Sequence, residues 1–261
     1  MTRSALFSAV LLALLPVAAA AERLSDVAEL DVLTGWRETS GRHIAAVRIR
    51  LAPGWKTYWR APGDAGIPPD FTFEGAQNMT GVAWHWPIPD VFETSGMRSV
   101  GYADQVVLPV EITPGGPGQI EFAGSAQIGI CKDICIPAFF EFSAILPDSG
   151  ARDASIVAAL VDRPMTADEA GVRGVTCRFS PLADGLRLTA KVEMAPIGDE
   201  ELAVVEAGPG IWVSEPDVMR SGGTLTVGAD LVGAKVLDRS DVRLTLLAGG
   251  QGVDIRGCTA G

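Results

Sequence analysis

Glycine and proline cut this chain into short runs from end to end, with 30 Gly and 17 Pro among 261 residues. Between the breaks the apolar residues alternate instead of recurring at helical spacing. In residues 44–51, Val47, Ile49 and Leu51 fall on one face and Arg48 and Arg50 on the other, the period of a half-buried strand. Residues 105–112 place Val106, Leu108 and Val110 together in the same way, and residues 186–192 repeat the alternation. Short strands at regular spacing, separated by Gly/Pro turns, predict an all-β chain of two sandwiches.

The order of segments refines this. Arg3, an apolar run at residues 5–15 and Ala19-Ala20-Ala21 read as a secretory signal peptide over residues 1–21. Residues 22–147 form the first expected sandwich, with a Pro/Gly loop at 61–69 and an irregular loop at 88–102. Residues 148–170 read as a linker with one short helix, capped by Asp153 and stopped at Arg163-Pro164. Residues 171–261 form the second sandwich. No later apolar run approaches ~18 residues, so no direct membrane insertion is expected.

Several function classes drop out. The formal charge is −11 and Lys and Arg do not cluster, which argues against nucleic acid. The only histidines are His43 and His85, too few for a multi-His zinc site. No Ser-His-Asp order, P-loop or dinucleotide glycine pattern stands out, and no cofactor is expected. Trp55, Trp59, Trp84 and Trp86 are expected to pack in and around the first core, and Trp212 in the second.

An exported chain meets an oxidising compartment, where four cysteines can form two disulfides. Cys177 opens the second sandwich and Cys258 follows its last expected strand. Their bond would close a loop of about 80 residues and contribute roughly 4–5 kcal/mol by the chain-entropy estimate. That is a structural staple. Cys131 and Cys135 enclose only Lys132-Asp133-Ile134 and can face each other across a tight hairpin. So short a loop gives only roughly 2 kcal/mol. Spacing alone leaves open a redox pair, a hairpin staple, and a Cu(I) site completed by Met97. Lys132 beside Cys131 favours its thiolate and Asp133 opposes it.

The surroundings of the pair carry a resemblance. Gly54-Trp55-Lys56-Thr57-Tyr58, then Phe92-Glu93 through Gly101-Tyr102, Leu108-Pro109-Val110, and Cys131…Cys135-Ile136-Pro137 follow one order. Over residues 30–146 that order resembles the N-terminal periplasmic domain of the thiol:disulfide interchange protein DsbD, and still more the ScsB-type (suppressor of copper sensitivity) reductases. The second sandwich resembles their extra module.

The resemblance implies an immunoglobulin-like sandwich with Cys131 and Cys135 as the exchanging thiols. It implies Tyr58 near them, and a cap over residues 92–102 that includes Phe92, Glu93, Met97 and Tyr102. It implies electrons from a membrane-embedded DsbD/CcdA-like donor, passed to periplasmic thioredoxin-like proteins, in settings such as cytochrome c biogenesis and copper tolerance. The chain departs from the pattern in its closer cysteines and in Thr94-Ser95-Gly96-Met97 where DsbD has an aromatic pair, and no transmembrane domain is expected to follow. The reading from a different class is a non-catalytic periplasmic binding or interaction protein with structural disulfides, with copper handling as one role open to it.

Overall fold

The computed structural model describes residues 23–94 and 96–261. The signal peptide expected at residues 1–21 lies outside them. A single turn, α1 (Leu24–Val27), leads into β1 (Ala28–Arg37) and β2 (His43–Leu51). Then come β3 (Lys56–Tyr58), β4 (Asp70–Thr72), β5 (Met79–Trp84), β6 (Asp90–Thr94), β7 (Met97–Ala103), β8 (Gln105–Pro114), β9 (Ile120–Cys131) and β10 (Cys135–Leu146). One sheet runs β1-β2-β8-β5; the facing sheet runs β10-β9-β3-β7-β6, with β4 also on β9. Ala45, Val47 and Ile49 of β2 meet Phe122, Ile128 and Ile130 of β9 between them.

The alternation read in residues 44–51 has a second consequence. The other face of β2 is also buried at Ile44 and Ala46, beneath α2 (Ala154–Val161). Asp153 caps α2, its carboxylate accepting from the Ser155 and Ile156 amides at 2.8 and 3.2 Å. Ile156 and Ala159 then pack on Trp36 and Val107. The helix expected in the linker is therefore docked on the first sandwich.

The second half continues with β11 (Met165–Thr166), β12 (Gly174–Pro181), β13 (Gly185–Glu193), β14 (Leu202–Glu206), β15 (Trp212–Val213), β16 (Asp217–Ser221), β17 (Thr224–Val232), β18 (Arg243–Ala248), β19 (Gln251–Arg256) and β20 (Thr259–Ala260). One sheet runs β11-β19-β18-β14 and the other β15-β17-β13-β12-β20, with β16 on β17. Leu188, Val227, Leu244 and Val253 sit in the core between them. Cys177 and Cys258 are bonded, with Cα atoms 5.7 Å apart across 81 positions of sequence. Met165, in the stretch read as linker, already pairs with Val253 of this sandwich.

Two expectations change. Residues 88–102 are not an irregular loop but contain the β6–β7 hairpin, with Thr94 opposite Met97. Gly101 hid it: a Cβ there would stand 2.0 Å from the Thr57 carbonyl oxygen, so β7 needs glycine to lie against β3. Trp212 is not core. It is 52 % exposed and lines a cleft of about 740 Å³ between the sandwiches, together with Pro62, Met97, Arg98 and Glu215. Trp55 and Trp59 are buried, and Trp84 and Trp86 lie partly buried against the first core.

Arg60 ties the two sandwiches together. Its guanidinium stacks 3.7 Å from the Trp59 ring centroid and donates to both Glu206 carboxylate oxygens at 3.0–3.2 Å. It also donates to the Thr245 hydroxyl at 3.1 Å.

Candidate functional site

Strand register creates the site. Cys131 ends β9 and Cys135 begins β10, directly opposite each other. Their Cα atoms lie 4.1 Å apart and their sulfurs are bonded. Pro137, two residues along, has no N–H and faces Gly129. The Gly129 carbonyl points the other way and accepts from the Thr57 hydroxyl at 2.9 Å. Gly129–Pro137 is therefore a non-hydrogen-bonded pair, and so, two residues back, is Cys131–Cys135. Facing side chains come closest in such pairs.

The two sulfurs have unequal surroundings. β9 is flanked by β10 on one side and by β3 and β4 on the other, whereas β10 ends the sheet. Cys131 is accordingly buried at 1 % exposure, and Cys135 is exposed.

Tyr58 covers the buried side. Its Oη lies 2.6 Å from the Cys131 Sγ and 3.3 Å from the Cys135 Sγ. A bonded sulfur carries no proton, so the hydroxyl is the donor. It can also donate to the Ala65 carbonyl at 3.2 Å. Burial pushes the Tyr58 hydroxyl above its ordinary pKa, so it keeps its proton. The ring lies over Gly129, where a Cβ would stand 2.8 Å from it and 2.6 Å from the Ile67 Cβ. The Pro/Gly loop at 61–69 thus closes over Tyr58 and walls off this side of the sulfurs.

Lys56 pairs directly with Cys131, so its side chain leaves the same face of the sheet. Its ammonium donates to the Thr94 and Ser99 hydroxyls at 3.3 and 3.2 Å and sits 4.8 Å from the Phe92 ring centroid. Burial lowers its pKa. Lys56 thereby joins the cysteine strand to the β6–β7 hairpin.

The expected cap residues separate. Phe92 reaches the site through Lys56. Glu93 points to solvent, 4.0 Å from Arg98. Met97 is exposed near the hairpin tip and faces the cleft, while Tyr102 is buried and donates to the Pro87 carbonyl at 2.9 Å. β3 stands between β7 and β9, so the hairpin flanks the pair from one strand away. Among the described residues, Tyr58 alone hydrogen-bonds to the sulfurs of this pair. No group of three or more His, Cys, Asp or Glu residues among them is arranged to hold a metal.

Lys56 and Gly129 were not singled out from the sequence. Lys56 stands two positions before Tyr58, the spacing that puts both on one strand face. A strand reading of residues 55–59, which is not made from the sequence above, would supply that signal.

Residues 29–147, which hold both cysteines and Tyr58, match the family described as thiol:disulfide interchange protein DsbD, N-terminal. Residues 29–147 form a DsbD-type N-terminal domain. By family this is a thiol–disulfide exchange domain, built as an immunoglobulin-like sandwich. The fold likeness extends past the DsbD-type domain. The N-terminal periplasmic domain of ScsB from Proteus mirabilis superposes with a TM-score of 0.68 at 22 % identity, covering 90 % of this chain and 95 % of that one. A search of curated proteins found no match.

Proposed function

We propose that this chain is a periplasmic electron relay. It takes two electrons from a membrane-embedded DsbD/CcdA-like donor through Cys131 and Cys135 and passes them to thioredoxin-like proteins. The observation that carries this reading is the asymmetry of the bond. One sulfur is open to a partner, and the other is buried beneath a hydroxyl that can stabilise it as a leaving group.

In the reduced chain, the Cys135 thiolate attacks a partner disulfide. A Cys135–partner bond forms and the partner's second sulfur leaves as thiolate. Cys131, as thiolate, then attacks the Cys135 sulfur and expels the remaining partner thiolate. The chain ends oxidised and the partner reduced by two electrons. Recharging runs the same steps backwards: the donor's thiolate attacks Cys135, and Cys131 departs. The departing Cys131 thiolate accepts from Tyr58, and Lys56 on the same face adds a positive charge that favours it. The apolar run before Ala19-Ala20-Ala21 supports export to the compartment where such exchange takes place.

The test is trapping. A Cys131→Ala protein keeps the exposed Cys135 but cannot resolve, so it should accumulate mixed disulfides with thioredoxin-like proteins in the periplasm. A Cys135→Ala protein should trap far less. Equal or absent trapping by both, with a bridge potential below about −300 mV, would instead mark a structural bond.

A further inference from the structure

The bond between the sulfurs has a direction, and that direction selects a surface. Cys131 lies on an interior strand and Cys135 on the edge strand, so the bond runs from β9 outward to β10. Displacement at sulfur is collinear: the incoming sulfur approaches opposite the one that leaves. A thiolate that displaces Cys131 from Cys135 must therefore arrive from beyond the free side of β10. The opposite approach is closed by Tyr58 and the loop carrying Ala65 and Ile67.

What stands on that open side is apolar. Along β10, Ile136, Ala138 and Phe140 turn to the core, while Cys135, Pro137 and Phe139 face out and are exposed. Phe139 is 65 % exposed and Ile134, at the turn, 67 %. These bulky groups bracket the open sulfur. Phe139 stands four positions along the strand from Cys135, about 13 Å. Edge strands are ordinarily protected by charge. Here the charges stand off at Lys132 and Asp133 on the turn and at Glu141 beyond. A large exposed aromatic beside an exposed reactive sulfur needs a partner to cover it.

We infer that Ile134, Pro137 and Phe139 form the docking ridge for the exchange partner, and that the partner is a folded protein whose reactive cysteine lies in an uncharged, apolar face. The inference rests on the proposed exchange at Cys135 and adds where the partner sits. Phe139 is its anchor, because it offers the largest apolar area in reach of the sulfur.

Two reductants of different size separate the possibilities. The full chain, with its bond formed, is reduced by dithiothreitol and, separately, by reduced thioredoxin. Phe139→Glu should slow reduction by thioredoxin about tenfold or more, as expected for loss of an interface anchor. It should leave the dithiothreitol rate unchanged. Met219→Glu, which alters an equally exposed residue of the second sandwich, should change neither rate. Phe139→Ala should fall between wild type and Phe139→Glu. The inference is overturned if Phe139→Glu reacts with thioredoxin at the wild-type rate. It is also overturned if both reductants slow together, which would mean the bond itself had changed. If wild type resists both reductants, the exchange reading fails and the ridge with it.

Discussion

In the proposed exchange, the Tyr58 hydroxyl has a task in each redox state. With the bond formed, it donates to a sulfur that accepts weakly. With the bond open, the same O–H meets a thiolate, where a hydrogen bond is worth roughly 1.5–3 kcal/mol. Tyr58→Phe keeps the ring over Gly129 and removes only the donor. The Cys131 thiol pKa should rise by about one unit or more, since one unit corresponds to roughly 1.4 kcal/mol. Titration of thiolate absorbance in the reduced protein checks this, and an unchanged pKa would remove Tyr58 from the chemistry. Gly129 explains why such a residue stays hidden in a sequence. Its importance is the space it leaves for a side chain 71 positions away, and nothing in its own neighbourhood declares that.

At the scale of elements, β1 and β2 hold a buried titratable group. His43 is fully buried, its Nε2 lies 2.6 Å from the Thr34 carbonyl and donates to it, and its Nδ1 has no partner. Burial, the largest cause, lowers its pKa despite the Thr34 contact; burial also lowers that of His85. The unfolded chain then takes up these protons more readily than the folded one. The stability held by neutral His43 and His85 is complete above the ordinary histidine pKa of about 6.5 and is lost as pH falls below it toward the folded values. Urea unfolding free energy should be level above about pH 7 and decline below about 6.5. A protein carrying His43→Asn and His85→Asn should have a flatter profile across that range.

Elements differed in how far they could be read from sequence. Strands β2, β8 and β13 were legible because each has one clearly apolar face. The cap on α2 was legible because Asp153 stands immediately before an apolar run. The β6–β7 hairpin was not, because Gly101 answers a neighbouring backbone and not the strand pattern. The cysteine pair was legible as a hairpin, but its unequal burial follows from which strand ends the sheet, and that depends on the whole topology.

Across the whole molecule, the two disulfides differ in what they constrain. Cys177–Cys258 closes 81 positions and Cys131–Cys135 only 4. Replacing Cys177 and Cys258 together with alanine should cost about 4–5 kcal/mol, against roughly 2 for the short pair. Urea midpoints of the two double variants should rank in that order, and the reverse would show that the short bond holds native structure together. In the proposed exchange, this difference would let the short bond open and close while the long one holds its sandwich shut. Arg60, stacked on Trp59 and bound to Glu206, and Arg98, 2.9 Å from Glu215, both connect the sandwiches.

Pro137 has a consequence for how copies of this chain behave toward one another. A sheet edge carrying Phe139 and Ile134 is the kind of surface onto which a second chain adds a strand and begins an aggregate. The backbone of Pro137 points outward along that edge and has no N–H to offer. A growing ladder meets a missing rung two residues from Cys135. As the proposed docking ridge, the edge would meet a partner through its side chains while refusing the backbone pairing that would make self-association permanent.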